Sequence, residues 1–147
     1  MPFHIRYLSR KTVNEAYIKH IVESSLRSMH KDDAEFDLVF IGKKRMRDLN
    51  RIYRGKDKVT DVLSFGNTYG SKKDPFVSPR DIPENLGEIF ICTERAKEQA
   101  KQKGHSLKKE LSILLIHGIL HLAGFDHEDD KDARIMQRTE NRLLSEL

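Results

Sequence analysis

The chain has 147 residues, 37% hydrophobic and 34% charged, with a formal net charge of +4, so it is long enough for one domain with a sizeable core. No apolar run approaches the roughly 20 residues of a membrane span, and the first residues lack the basic-then-apolar order of a signal peptide. A single cysteine, Cys92, excludes an intramolecular disulfide, so we expect one globular domain, residues 1–147, that works in the cytoplasm without a membrane partner.

Hydrophobic periodicity predicts four strands and five helices. Apolar runs, alternating or continuous, predict strands at residues 3–8, 36–41, 62–65 and 86–91. Helices are predicted from Thr12 or Asn14 to about residue 29, at 43–53, at 94–103 after Thr93, from Ser106 through the apolar run 111–116 to a stop near Gly124, and at 129–147. Residues 66–85, rich in proline and glycine, are predicted to form a long loop. The pattern therefore predicts an α+β fold with a mixed sheet of about four strands packed with five helices, but it leaves strand order and direction open.

Helical phase also predicts which side chains face the core. The second helix is expected to turn Met46, Leu49, Asn50 and Tyr53 inward, and the last helix Ile135, Leu143 and Leu144. Cys92 is predicted to be a small core or capping residue rather than a nucleophile.

The strongest chemical signal is a set of three histidines. His117 and His121 are four residues apart in an apolar run, so both imidazoles point from one helix face, at the spacing with which two histidines bind one metal ion. Gly124 follows where that helix should end, and a left-handed turn there would bring His127 towards the same ion. Burying imidazoles among leucines is costly unless their nitrogens are satisfied, so metal binding is favoured over three packed core histidines. Three histidines leave a tetrahedral zinc ion with one open position, as in catalytic sites.

The histidine spacing matches that of the metzincin peptidases with one difference. Those enzymes carry a glutamate directly after the first histidine as the general base. This chain has Gly118 there, which cannot accept a proton. A zincin-like helix is therefore predicted without peptidase chemistry, and a failure to cleave unstructured peptides would exclude that alternative.

A dense basic cluster begins in the predicted second helix. Between residues 43 and 58, eight basic side chains stand against two acidic ones. Such a run is either a solvated helix face or, beside a hydrolytic metal site, a surface for the phosphates of a nucleic acid. The candidate RNA-binding residues are Lys43, Lys44, Arg45, Arg47 and Arg51.

Two separated stretches of the chain form recognisable motifs. They are His117-Gly-Ile-Leu-His121-Leu-Ala-Gly-Phe-Asp-His127 and Asn50-Arg-Ile-Tyr-Arg54-Gly-Lys-Asp57-Lys-Val-Thr60-Asp61-Val-Leu-Ser-Phe65, the latter followed by Leu86-Gly-Glu-Ile89. Both resemble the recurring motifs of the YbeY family of metal-dependent endoribonucleases. The resemblance covers nearly the whole chain and implies one Zn²⁺ held by His117, His121 and His127, with Arg54 and His117 as catalytic residues. It further implies single-stranded RNA rather than DNA as substrate, and a role in 3′-end processing of small-subunit (16S) ribosomal RNA and in ribosome quality control. Contact with the ribosome or with small-subunit assembly factors follows from the same resemblance.

Several alternatives remain open from the residues alone. Arg54 could be a surface arginine paired with Asp57 or Asp61, and Asp126 could either order the turn or orient a ligand histidine. Without a glutamate at position 118 no general base is evident, so the attacking group is either water or the ribose 2′-hydroxyl. The competing function is a non-catalytic ribosome assembly factor in which zinc only joins the last two helices.

Overall fold

The computed structural model describes residues 3–66, 85–125 and 129–147. Its elements are β1 (Phe3–Tyr7), α1 (Glu15–Ser28), β2 (Glu35–Ile41), α2 (Lys43–Arg54), β3 (Val62–Gly66), β4 (Asn85–Cys92), α3 (Thr93–Lys103), α4 (Leu107–Leu122) and α5 (Asp130–Ser145). The predicted α+β class, with four strands and five helices in this order, is confirmed. Most of the predicted long loop, together with Asp126 and His127, lies outside the described residues.

The four strands form one mixed sheet in the order β1-β2-β4-β3. β1, β2 and β4 run parallel, whereas β3 pairs antiparallel with β4 and occupies the edge of the sheet. Helices lie on both faces of the parallel strands, and five of the seven residues of β2 and five of the eight residues of β4 are buried.

Helices cover the sheet unequally. The larger hydrophobic cluster joins α1, α4 and α5 to one face through residues such as Leu38, Ile89 and Ile119. α2 packs on the opposite face, where Met46 meets Val39, Ile41, Leu63 and Cys92. Cys92 is fully buried, as predicted for a small core residue, and burial raises the pKa of its thiol. None of the helices in the described part of the chain has the length and apolar character that crossing a membrane requires.

Two of the predicted helix caps are confirmed, and one is wrong. The Asn14 side chain accepts a hydrogen bond from the Tyr17 N–H at 3.3 Å, and Ser106 Oγ accepts one from the Lys109 N–H at 3.1 Å. Thr93 is the first residue of α3 rather than its cap, because β4 continues to Cys92 and the chain passes directly from strand to helix.

Two inward-facing assignments are wrong. Tyr53, in the last turn of α2, is 62% exposed, and its ring contacts Phe65 of the edge strand β3. In α5 the buried stripe runs through Met136 and Leu143, so Ile135 falls at its border and is 41% exposed. Met46 and Asn50 are buried as predicted.

Candidate active site

His117 and His121 lie on successive turns of α4 and approach each other closely. Their Nε2 atoms are 3.1 Å apart, and the two rings meet edge to face at a centroid distance of 4.5 Å. Two histidine nitrogens at ~2.0–2.1 Å from one tetrahedral zinc ion would be about 3.3 Å apart. The two imidazoles therefore fit as a pair of ligands to one ion. His127 is outside the described residues, and within those residues no three metal-binding side chains cluster.

α4 ends in a turn that reverses the chain just after His121. Gly124 has a φ of 99°, its N–H donates to the His121 carbonyl at 3.1 Å, and the Phe125 N–H donates to the Leu120 carbonyl at 3.0 Å. This pair of hydrogen bonds is the Schellman arrangement, which needs a residue tolerant of positive φ at the position of Gly124. Phe125 packs against the hydrophobic core and anchors the turn. The predicted helix end at Gly124 is confirmed.

Glu140 of α5 forms a hydrogen bond with Nδ1 of the His117 ring, a contact that our sequence analysis did not predict. Its Oε1 lies 2.6 Å from His117 Nδ1, and its side chain is only 15% exposed. A carboxylate accepts the Nδ1–H of an imidazole, which leaves Nε2 as the ligating nitrogen. The signal available in the sequence is weak: Glu140 lies four residues after Met136 and three before Leu143, so a carboxylate interrupts the buried stripe of α5.

Arg54 and the two histidines line one cleft of about 340 Å³, here called the histidine cleft. Its walls are α4 and the edge strand β3, and it is lined by Arg54, Val62, Leu63, Ser64, Gly66, His117, Gly118, His121 and Leu122. Arg54 ends α2 on the other face of the sheet and reaches around β3, where its Nη2 donates to the Ser64 carbonyl at 2.8 Å. Its guanidinium carbon lies 4.8 Å from the centre of the Phe65 ring.

The alternative ion pairs considered for Arg54 do not form. Asp57 receives two hydrogen bonds from Arg47, at 2.8 and 3.2 Å. Asp61 accepts from the Gln99 side chain and from the Val62 N–H, each at 2.7 Å. Arg54 is therefore fixed by a backbone carbonyl and an aromatic ring, and its guanidinium keeps further N–H groups of its five for an anion.

Gly118 lies where a metzincin peptidase has its glutamate. A Cβ atom added there would be 3.2 Å from Ile89 Cδ1 and 3.3 Å from Ile89 Cγ2, because α4 packs tightly on β4. A longer side chain at this position would have to displace fully buried Ile89. Among the described residues that line the histidine cleft, none carries a carboxylate.

The basic residues of α2 fall into two groups. Lys43 pairs with Glu98, Arg47 with Asp57, and Arg51 with Asp48 at 3.5 Å, and the Arg47 guanidinium lowers the pKa of the Asp57 carboxyl. Lys44 and Arg45 are exposed, and neither has an ion-pair partner within the described ranges. Apart from Arg54, none of these side chains is among the described residues that line the histidine cleft.

Comparison with known proteins finds relatives that match almost the whole chain. The family model described as Endoribonuclease YbeY matches residues 5–147. The Endoribonuclease YbeY proteins of Staphylococcus aureus strains JH9 and Newman are each 42% identical over 137 residues, which covers 90% of this chain and 88% of theirs. The solution structure of TM1509 from Thermotoga maritima aligns with a TM-score of 0.64 and 27% identity, covering 98% of this chain and 87% of that one. The chain therefore belongs to the YbeY family of metal-dependent endoribonucleases, which hydrolyse phosphodiester bonds in RNA.

Proposed function

We propose that this chain is a single-strand-specific, zinc-dependent endoribonuclease that acts in ribosomal RNA maturation, at the 3′ end of small-subunit RNA, and in ribosome quality control. The observation that supports the proposal most strongly is that His117, His121 and Arg54 line one cleft. A cation site beside a planar five-donor side chain suits the negative charge that develops on phosphorus during phosphodiester cleavage. The endoribonuclease activity of the YbeY family supports the choice of RNA as substrate.

His117, His121 and His127 would hold one zinc ion in this proposal. The 3.1 Å separation of the first two Nε2 atoms and the carboxylate behind His117 support that ligand set. When bound, the ion supplies Lewis-acid stabilisation of the phosphate charge and lowers the pKa of a bound water. His117 would be catalytic because it would hold the ion that supplies this chemistry.

Arg54 would bind a non-bridging oxygen of the scissile phosphate. Its contacts with the Ser64 carbonyl and the Phe65 ring orient the guanidinium at the mouth of the histidine cleft before RNA arrives. Such preorganisation makes the interaction stronger in the transition state, where phosphate charge increases, than in the ground state.

Two nucleophiles are compatible with this arrangement. The described lining of the histidine cleft contains no carboxylate that could act as a general base for either nucleophile. The lining therefore does not distinguish between attack by water and attack by a neighbouring 2′-hydroxyl. Attack by the 2′-hydroxyl leaves a 2′,3′-cyclic phosphate or its 3′-phosphate successor, whereas attack by water can leave a 3′-hydroxyl. End-group analysis of the RNA products distinguishes the two routes.

The function is tested by cleavage of a labelled single-stranded RNA with protein of measured zinc content. We expect cutting that a chelator stops, that zinc restores, and that His121→Ala abolishes. His20→Ala, which removes an exposed imidazole of α1, is the matched control and should cut like the wild type. Chelator-insensitive cutting, or full activity of His121→Ala, would refute the proposed metal site.

A non-catalytic ribosome assembly factor with a structural zinc predicts a different result. In that case stoichiometric zinc would accompany no cutting of free RNA or of RNA in assembled small-subunit particles. Cutting restricted to the particles would instead support the nuclease and identify the ribosome or an assembly factor as its required partner.

A further inference from the structure

A second cleft lies on the other face of the sheet, between α2 and the strands. It has a volume of about 450 Å³, within the range of small-molecule sites, and is here called the aromatic cleft. Its lining residues are Asp37, Leu49, Tyr53, Phe65, Gly66, Asn85, Gly87, Glu88 and Phe90. Nothing in the proposed chemistry at the histidine cleft uses it.

Three aromatic rings give this cleft its character. Tyr53 meets Phe65 edge to face at 5.4 Å between centroids, and Phe65 meets Phe90 in the same way at 5.8 Å. Phe65 and Phe90 pack against the cluster beneath α2, whereas Tyr53 is 62% exposed. A largely exposed tyrosine ring beside a partly buried phenylalanine provides the kind of surface on which a nucleobase stacks.

Two carboxylates are the charged groups among the described residues that line the aromatic cleft. Asp37 of β2 and Glu88 of β4 are register partners on adjacent parallel strands, so their side chains lie on the same face. Neither has an ion-pair or hydrogen-bond partner within the described ranges. Carboxylates accept hydrogen bonds from the N–H groups of a base and repel a phosphate. The cleft therefore suits the base of a nucleotide and excludes its backbone.

The two clefts adjoin across the end of β3. Gly66 lines both clefts, and Arg54, which lines the histidine cleft, lies over the ring of Phe65, which lines the aromatic cleft. Tyr53 precedes Arg54 at the end of α2. An RNA strand whose phosphate is held beside Arg54 can thus turn a neighbouring base over the edge strand towards Tyr53.

We infer that the aromatic cleft binds one unpaired nucleobase of the RNA substrate, next to the scissile phosphate, by stacking on Tyr53. The inference rests on the proposed function and adds a substrate contact to it. It also gives a physical reason for a preference for single strands, since a base in a duplex is not available to stack on a protein ring.

Binding is measured by fluorescence anisotropy with zinc-loaded protein and a labelled 2′-O-methyl phosphorothioate RNA, chosen because it resists cleavage. Tyr53→Ala should weaken binding roughly 5- to 100-fold, and Tyr53→Phe should retain most of the affinity because the ring remains. Ile52→Ala is the matched control: Ile52 is 61% exposed on the same helix but does not line the aromatic cleft. Thermal unfolding of each variant shows that the fold is kept.

The base itself is tested with a series of the same RNA in which one nucleotide at a time is abasic. One position should weaken binding by the wild type about as much as Tyr53→Ala does, and should have little further effect in Tyr53→Ala. Equal affinities for Tyr53→Ala and Ile52→Ala, or equal sensitivity of wild type and Tyr53→Ala to every abasic position, would overturn the inference. Cleavage of unmodified RNA by the wild type reports separately on the proposed function, so the two can fail independently.

Discussion

Substitution of Arg54 should lower the cleavage rate without changing the stability of the fold. It is exposed, and one hydrogen bond to Ser64 with a ring contact at Phe65 holds it in place. We expect Arg54→Ala to lower the cleavage rate by a factor on the order of 10² to 10³ or more, the loss typical of a transition-state donor. Zinc content and melting temperature should stay nearly unchanged.

Arg54→Lys refines this prediction. Lysine keeps the charge but lacks the planar fork, so it should recover only part of the rate. The measurement is single-turnover cleavage at saturating protein, beside zinc content and thermal unfolding, with Arg27→Ala, at an exposed position of α1, as the control. Cleavage that survives in Arg54→Ala at the wild-type rate would remove Arg54 from the mechanism.

Glu140 should act on zinc affinity rather than on the reaction directly. Its carboxylate accepts from His117 Nδ1 at 2.6 Å, and loss of such an outer partner typically weakens metal binding 10- to 100-fold. Competition with a chromophoric chelator should show that loss in Glu140→Ala and a smaller one in Glu140→Gln, whose amide oxygen can still accept. Glu146→Ala, an exposed position at the end of the same helix, should bind zinc normally, and equal affinities for all three would contradict the role.

Buried Glu110 connects three elements around the site. From α4 it accepts hydrogen bonds from His105, from Lys103 Nζ at 3.1 Å and from Gln99 Nε2 at 3.3 Å. Gln99 also donates to Asp61 at 2.7 Å, and Asp61 accepts from the Val62 N–H at the start of β3. This chain of contacts fixes the edge strand relative to α4, and hence the two walls of the histidine cleft.

The same contacts predict how stability depends on pH. Burial alone would raise the pKa of Glu110, but hydrogen bonds from His105 and Lys103 outweigh it and lower the pKa below its ordinary value of 4.5. The resulting stabilisation is present above pH 4.5 and is lost as the pH falls through the lowered, folded-state pKa. Urea unfolding at a series of pH values should therefore show a steeper acid limb for the wild type than for Glu110→Gln. His105→Asn should lie between them, and parallel curves would rule out this contribution.

Much of this arrangement was predictable, because it is local in sequence. The spacing of His117 and His121 and the helix end at Gly124 depend on residues within one or two helical turns. The position of β3 depends instead on residues that are distant in sequence. The alternation of Val62–Gly66 predicts a strand, but it does not predict that the strand lies antiparallel at the edge of the sheet beside α4. That placement brings Arg54 to the histidine cleft and leaves Tyr53 exposed, which is why the prediction of a core tyrosine was wrong.

The distribution of charge over the whole molecule should govern how strongly RNA binds, independently of the RNA sequence. Three of the five candidate residues, Lys43, Arg47 and Arg51, are engaged with acidic side chains, so reversing their charge would place like charges together. Lys44 and Arg45 are exposed on α2 without such partners in the described part of the chain. These two therefore offer the cleaner test of phosphate binding by the basic cluster.

The double variant Lys44→Glu/Arg45→Glu should weaken RNA binding and flatten its dependence on salt. Each phosphate contact to a single strand contributes about 0.7 to the slope of log K against log salt, so losing two should reduce the slope by about 1.4. Lys97→Glu/Lys101→Glu on α3 makes the same change in net charge at exposed positions outside α2 and serves as the control. Equally reduced slopes for the two double variants would mean that net charge alone matters. An unchanged slope for Lys44→Glu/Arg45→Glu would mean that the basic cluster is only a solvated helix face. A loss of slope confined to the α2 variant would place the RNA backbone along α2, the helix that ends at Arg54.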